Sequence, residues 1–522
     1  MASDMLKGYS RTKNSLLNIM SGFAGQVLTI ILRFVCRTVF IQTLGVAYLG
    51  INGLFSDVLS MLSLAELGFD TAISYRLYKP IVEENYKKIR ALLVFFRLAY
   101  RIIGVVILCS GLLFIPFLRY LIKDYDSLKD IGINAVLIFI LFLVQNVSTY
   151  LFFAYKSIVF KANQKLYVLD VVGYVITLTS SLFQIVTLLI FENFTVYLIV
   201  MLFFAILQNL INARLATHYY PQYFDYKNEK LDKKERKELF KDCTALFVYK
   251  INNIVMKATD NIVLSAFVGL TIVGLYSNYL VLFTAVSGVL HITFRAVKAS
   301  MGNLFASDDI EKKYFFFEVM NLITILLYGT AAICVAVVSN EFIICWIGEQ
   351  YTIPQPLPLL IGIELLFTGL KLNLAQIRHV SGIFKQMWFR PVIGSLINVV
   401  SSVVLVQFWS ISGVIVGTLL AAIFANFVVD PVVIHKYSFN RYKAVSYYYC
   451  KNMKYIIILG LFGFASYYLC SLIIFENSLL SFFVHLIICL LCVIPAFYFI
   501  FRNRNEFKYL SSKLLKVVNV HK

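Results

Sequence analysis

The chain has 522 residues, of which 60% are hydrophobic and 14% charged, and its mean hydropathy is +0.80. A soluble domain is about 45–50% apolar and about 25% charged, so this chain has too little polar surface for the roughly three globular domains its length would otherwise suggest. That excludes a secreted disulfide scaffold, a cytosolic enzyme and a disordered chain, and leaves an all-α, polytopic membrane protein.

Lys and Arg number 47 against 28 Asp and Glu, a net charge of +19. Multi-spanning proteins collect such an excess in their cytoplasmic loops, so no nucleic-acid partner is implied. Of the nine cysteines, Cys36, Cys109, Cys334 and Cys470 lie inside apolar runs. Cys489 and Cys492 form a lone C-x-x-C in the last apolar block, without the second pair a zinc site needs. Neither a disulfide framework nor a metal is expected.

Residues 1–13 are polar and basic, and the apolar run that follows reaches about Gln42 while carrying Arg33 and Arg37. A signal-peptide core is about 7–15 residues long and uncharged, so this first segment is expected to remain as a span. Apolar runs read against turn signals then predict fourteen spans, near 14–42, 47–77, 88–118, 131–156, 166–191, 195–217, 238–267, 271–304, 314–340, 357–382, 386–408, 411–435, 452–475 and 478–501. Thirty-five basic residues fall on or beside the even-numbered connections and the two ends, three on the odd-numbered connections, and the other nine are read as lying inside spans. This asymmetry predicts that both termini are cytoplasmic. The charged stretch from Tyr226 to Lys237 reads as a solvated linker.

An internal repeat accompanies this map. Leu44-Gly45-x4-Gly50-Ile51 recurs as Val268-Gly269-x4-Gly274-Leu275 at an offset of 224, and Gly173 with Ser180-Ser181 echoes as Gly394 with Ser401-Ser402 at an offset of 221. The expected organisation is a six-helix lobe at 1–217, a cytoplasmic basic linker at 218–237, a second six-helix lobe at 238–436, two additional helices at 437–501 and a basic cytoplasmic tail at 502–522. Parallel halves of this kind characterise transporters that alternate access around a central site.

The nine basic residues inside spans are Arg33, Arg37, Arg76, Arg97, Arg101, Lys250, Lys257, Lys371 and Arg378. At roughly 2.5–3.5 kcal/mol each at the bilayer centre, most must snorkel, pair or face a wet cavity. Arg76 and Arg378, at cytoplasmic helix ends, are expected to snorkel. Arg97 and Arg101 share one helix face and either line a cavity or pair structurally. Arg33 is about 18 Å from the outer end of its helix, too deep to snorkel easily.

Gln26, Thr29, Arg33 and Arg37 make one polar stripe on the first helix, and Lys250, Asn253, Lys257 and Asn261 make the corresponding stripe on the seventh. The two stripes read as a cationic cavity or as structural ion pairs. Asp57 is expected near the depth of Arg33, Asp260 lies one turn from Lys257, Glu66 and Asp70 form an i, i+4 pair, and Glu364 sits above Lys371. These acids are structural salt bridges or sites for a coupling ion or proton. His291 and Arg295 lie one turn apart on the eighth helix, where the histidine either titrates or is a hydrogen-bonded helix residue.

No H-E-x-x-H, G-x-x-x-x-G-K-[ST] or G-x-S-x-G motif is present, so no catalytic residue, no cofactor and no ATP hydrolysis are expected. The matches Asn146-Val147-Ser148 and Asn193-Phe194-Thr195 to the glycosylation sequon read as chance.

At Leu44-Gly45-x4-Gly50, followed by Leu67-Gly68-Phe69-x-x-Ala72-Ile73, the chain resembles the bacterial polysaccharide flippases of the multidrug/oligosaccharidyl-lipid/polysaccharide superfamily, and more closely the Wzx-type capsule and O-antigen flippases. The likeness extends over the whole chain in its 6 + 6 + 2 topology. It implies a bacterial cell-membrane protein that carries an undecaprenyl-diphosphate-linked oligosaccharide from the inner to the outer leaflet, with membrane lipids around it and the pathway's polymerase and glycosyltransferases as partners. In that family a cationic cavity receives the diphosphate, a role that would fall here to Arg33, Arg37, Lys257 and Arg295. Asn261 stands at the repeat position of Arg37, so the cation pair is asymmetric. A multidrug exporter of the same superfamily is the alternative, and a polysaccharide polymerase is disfavoured by the short outer loops.

Overall fold

The computed structural model describes residues 11–520 apart from 64–68, 124, 131, 226–228, 240–257, 307–308, 384, 388, 442–443 and 474, together with most but not all side chains within the helices. Among the described residues there is no strand. The chain forms two compact units, Met1–Gly274 and Leu275–Lys522.

The first unit contains α1 (Arg11–Leu44), α2 (Val46–Leu62), α3 (Phe69–Val82), α4 (Tyr86–Phe114), α5 (Ala135–Leu151), α6 (Leu166–Phe191) and α7 (Phe194–Tyr219). A short helix, α8, covers 233–239, and α9 is described over 258–267. Asn side chains start several of these helices by accepting a backbone N–H of the first turn: Asn85 from Lys88, Asn134 from Leu137 and Asn193 from Thr195. Asn193 of the second sequon is thus a helix cap. Beyond α5 the chain bends by 50° into Ala154–Ala162, through Phe153 in the left-handed region at φ 59°.

α1 lies along α6, where the Tyr174 ring fills the space over Gly25. Between α1 and α2 stands Gly45 with φ 86°, and Gly269, its repeat counterpart ahead of the next helix, has φ 128°. Both positions need a backbone that residues with a Cβ rarely adopt.

The second unit contains most of α10 (Leu270–Ala306), then α11 (Ile310–Trp346), α12 (Leu357–Ser381), α13 (Arg390–Ala421), α14 (Val429–Tyr437), α15 (Ala444–Ser471), α16 (Ser478–Phe501) and α17 (Asn505–Val520). α13 breaks at Ser410 (φ 51°, ψ −131°) and doubles back, so that Asn398 Nδ2 donates to Thr418 Oγ1 at 2.9 Å. A π-helical segment, Ala422–Val428, then leads into α14. The core of this unit gathers Phe317, Ile434, Phe439, Tyr448 and Leu374.

Ten helices among the described residues are long and apolar enough to cross a membrane, or eleven with the bent pair counted as one span. The protein is therefore a multi-pass membrane protein. The expected span 47–77 is represented by α2 and α3 on either side of 64–68, 238–267 is described only from 258, and 386–408 with 411–435 form the helix that folds back at Ser410.

Candidate functional site

On α1, Thr29 turns its hydroxyl back to the Gly25 carbonyl at 2.7 Å, satisfying itself within its own helix. One turn on, Arg33 is exposed and has no hydrogen bond or ion pair with any described residue. Arg37 is half-buried, within electrostatic reach of Arg33 and of Tyr197 on α7. The side chain of Gln26 lies outside the described residues, as do Lys250, Asn253, Lys257 and Glu66 and the side chains of Asp70 and Arg295. Asp260 and His291 are half-buried on α9 and α10.

Asp57 and Asn261 meet directly. The Asn261 amide donates to Asp57 Oδ2 at 2.5 Å, across 204 residues of sequence, and joins α2 to α9. An acid that sequence depth would set against Arg33 is thus engaged by the asparagine that stands at Arg37's repeat position. Arg33 itself keeps its charge unneutralised by any described group.

The other expected cations fall into different environments. Arg76 pairs with Glu238 at 3.6 Å, and Arg97 is half-buried within reach of Lys156. Arg101 is exposed and makes no pair among the described residues. Arg378 departs from the snorkelling expectation: it is 3% exposed and donates to Asp430 Oδ2 at 2.9 Å. The physical reason is a buried acid in the next hairpin, which Arg390 also contacts at 2.6 Å through Oδ1. Glu364 has a buried carboxyl oxygen without a hydrogen-bond partner among the described residues and interacts electrostatically with Lys371 two helix turns away.

Three buried polar clusters escaped the sequence reading. Asp430 with Arg378 and Arg390 is one, and Lys451 with Glu318 and Glu506 is another, with Lys451 Nζ to Glu506 Oε1 at 2.8 Å. Burial pushes the Glu506 carboxyl up, but the hydrogen bond and charge of Lys451 outweigh it and hold the group below its ordinary value. In the third, His485 Nδ1 lies 2.5 Å from Glu341 Oε1 while Nε2 donates to the Ile473 carbonyl at 2.8 Å. The signal was present: Glu318 and Asp430 are acids inside predicted apolar spans, as Glu364 is.

The second unit also carries an apolar groove of about 610 Å³ on α11, α12 and α15, floored by Gly329, Gly362 and Gly463 and walled by Leu366, Leu459 and Phe464. Among the described residues no group of three His, Cys, Asp or Glu side chains is arranged to hold a metal ion.

No protein-family model and no curated protein matches the chain. Solved structures do. A lipid II flippase MurJ in an inward closed conformation superposes with a TM-score of 0.60 at 15% identity, covering 94% of this chain and 99% of its own. An inward-facing multidrug resistance MATE family transporter of the MOP superfamily gives 0.57 at 14% identity, over 79% of this chain and 94% of its own. A MATE transporter in complex with MaL6 gives 0.54 at 12% identity, over 83% and 98%. By their own descriptions these neighbours are transporters and a flippase, and this chain has the fold that they share.

Proposed function

We propose that the protein is a Wzx-type flippase, which moves an undecaprenyl-diphosphate-linked oligosaccharide from the inner to the outer leaflet of a bacterial cell membrane for capsule or other surface polysaccharide assembly. The observation that carries this reading is Arg33, a cation within an apolar helix that no described acid neutralises. An unpaired charge at that depth is costly unless an anion comes to it. A diphosphate is excluded from hydrocarbon, and charge-assisted hydrogen bonds to a guanidinium make its passage tolerable.

Arg33, Arg37, Lys257 and Arg295 would hold the diphosphate in a cationic cavity, with Gln26, Thr29, Lys250, Asn253 and Asn261 as polar lining for the sugars. The groove over Gly329, Gly362 and Gly463 offers an apolar bed for a polyprenyl chain. Fourteen spans with cytoplasmic ends, two six-helix lobes and a linker at 218–237 would rock to expose the cavity alternately. An ion gradient or the membrane potential would drive the cycle, with Asp57, Glu66, Asp70 or Asp260 as coupling carboxylates. Each elementary charge moved through 100 mV contributes about 2.3 kcal/mol. The polymerase and glycosyltransferases of the same pathway are the expected partners.

The fold shared with MATE transporters favours a second reading, a multidrug exporter. Reconstitution in sealed vesicles separates the two. Flipping of a fluorescent polyprenyl-diphosphate oligosaccharide that is lost in Arg33→Ala and partly kept in Arg33→Lys supports the flippase. Export of cationic dyes with no movement of the glycolipid refutes it.

A further inference from the structure

The short helix α8 has two faces of opposite charge. Successive residues of a helix are 100° apart, which places Glu235, Glu238 and the buried Leu239 on one side and Lys233, Arg236 and Lys237 on the other. The acidic side is fully engaged by the first unit: Glu235 pairs with Lys88 at 2.5 Å and Glu238 with Arg76 at 3.6 Å, while Glu229 just upstream holds Arg90 at 2.7 Å. Lys233, Lys234, Arg236 and Lys237 make no ion pair with any described residue.

The free cations do not simply face open solvent. Lys233, Arg236 and Lys237 form one wall of a cleft of about 490 Å³, whose other wall is Phe95, Leu98, Ala99 and Ile102 of α4. Leu98 and Ile102 are 57% and 55% exposed and begin an apolar stripe that runs on through Val105. The hydrophobic segment containing α4 runs from Tyr86 to Leu121, 36 residues, longer than the roughly 20 that span a hydrocarbon core of about 30 Å. Counted back from Leu121, that core ends near Arg101, itself exposed and unpaired among the described residues. The cleft therefore lies at a membrane boundary, on the side that the basic residues assign to the cytoplasm.

We infer that this cleft binds an anionic phospholipid, with its phosphate headgroup on Lys233, Arg236 and Lys237 and its acyl chains along Leu98, Ile102 and Val105. Charge complementarity selects the ligand. The cleft lining contains no acid, the acids of α8 are turned away into ion pairs, and the inner leaflet is where anionic headgroups attract such cations. The apolar wall demands a molecule with chains as well as charge. The inference requires only that α4 cross a bilayer, so it stands whether the cargo is a glycolipid or a drug.

The test uses the full-length protein in detergent, challenged with equimolar dioleoyl phosphatidylglycerol and phosphatidylcholine and read by native mass spectrometry. Wild type should retain phosphatidylglycerol in preference. Each cation removed should cost roughly fivefold, so Lys233→Ala with Arg236→Ala and Lys237→Ala should erase the preference. The charge-keeping variant, Lys233→Arg with Lys237→Arg, should keep it. In parallel, a tryptophan placed by Leu98→Trp in a background with Trp346, Trp388 and Trp409 changed to Phe should be quenched more by brominated phosphatidylglycerol than by brominated phosphatidylcholine. Equal retention of the two lipids by wild type, an unchanged preference in the triple alanine variant, or equal quenching at position 98 would each overturn the inference.

Discussion

Gly50 and Gly274 perform the same task in each other's image. A methyl group added to Gly50 would overlap the backbone carbonyl of Leu270, and one added to Gly274 would overlap that of Val46. The two contacts are related by the 224-residue offset of the repeat, since Val46 corresponds to Leu270 as Gly50 does to Gly274. α2 and the first residues of α10, all within the first unit, therefore meet backbone against backbone, and small residues are what such an approach requires. Gly50→Ala or Gly274→Ala should each destabilise the crossing, by about 1–3 kcal/mol of overpacking that outweighs the helix-propensity gain. Thermal unfolding in detergent checks this, and the same drop is expected from either variant because the contact is reciprocal. A rise in melting temperature from either one would mean that the helices yield freely at this point.

Asp57 is held by Asn261, and this sets an expectation for double substitution. Asn261→Ala should remove the hydrogen bond that Asn261 donates to the Asp57 carboxylate, and Asp57→Asn should leave a neutral pair that still bonds. Together, Asn261→Ala and Asp57→Ala should be better tolerated than the sum of the single changes, with a coupling on the order of 1.5–3 kcal/mol for a bond to a charged group. Arg33→Ala should not be rescued by Asp57→Ala, because the Asp57 carboxylate is engaged by Asn261. Surface polysaccharide or vesicle flipping, measured beside protein level, reads both. Recovery of export in the Arg33 and Asp57 double variant would return Arg33 to a structural role.

Why the repeat was legible while the salt bridges were not follows from the kind of information each needs. Gly45 and Gly269 leave a mark in sequence because a left-handed backbone at the helix junction restricts the residue itself, and Gly50 and Gly274 do so because a neighbouring backbone touches them. Hydropathy likewise marks the long helices, since lipid acts on each residue separately. Arg378 was misread because its partner, Asp430, is 52 residues away on the far arm of a hairpin, and the position of that hairpin does not say which side chains meet across it. Asp57 was set near Arg33 by its expected depth, whereas its carboxylate bonds Asn261, since depth along a helix says nothing of the direction in which a side chain points. The bend after α5 at Phe153 and the π segment before Asp430 arise from tertiary packing and have no local marker.

The cluster around Asp430 makes a prediction about buried charge. Asp430 is fully buried and contacts both Arg378 and Arg390, which are 3% and 5% exposed. Asp430→Asn should strand two guanidinium groups and destabilise the second unit by ~3–5 kcal/mol, the range for removing one partner of a buried pair. Replacing all three by apolar residues of similar volume, Asp430→Leu with Arg378→Met and Arg390→Met, should recover most of that loss. Melting temperatures of purified single and triple variants test it. If the triple variant melts as low as Asp430→Asn, the charges do more than neutralise one another.

Lys451 offers the same test with a built-in distinction between core and tail. Its ammonium is shared by Glu318 on α11 and Glu506 on α17, and the Lys451 and Glu318 side chains are 5% and 6% exposed. Lys451→Met should strand Glu318 and cost ~3–5 kcal/mol, whereas Lys451→Met with Glu318→Gln should recover most of it. Glu506→Gln leaves the Lys451–Glu318 pair intact, so it should free only the start of α17. Because the Glu506 carboxyl is held below its ordinary value, its contribution is present above about pH 4.3, the unfolded carboxyl value, and is lost as pH falls through the lower folded value. Amide hydrogen exchange over Asn505–Val520 at neutral pH should therefore rise in Glu506→Gln while exchange in α11 stays as in wild type. Faster exchange in both helices would show that Glu506 supports the core of the unit, and unchanged exchange in both would show that α17 is held by Phe507 and Leu510, which pack on the same core.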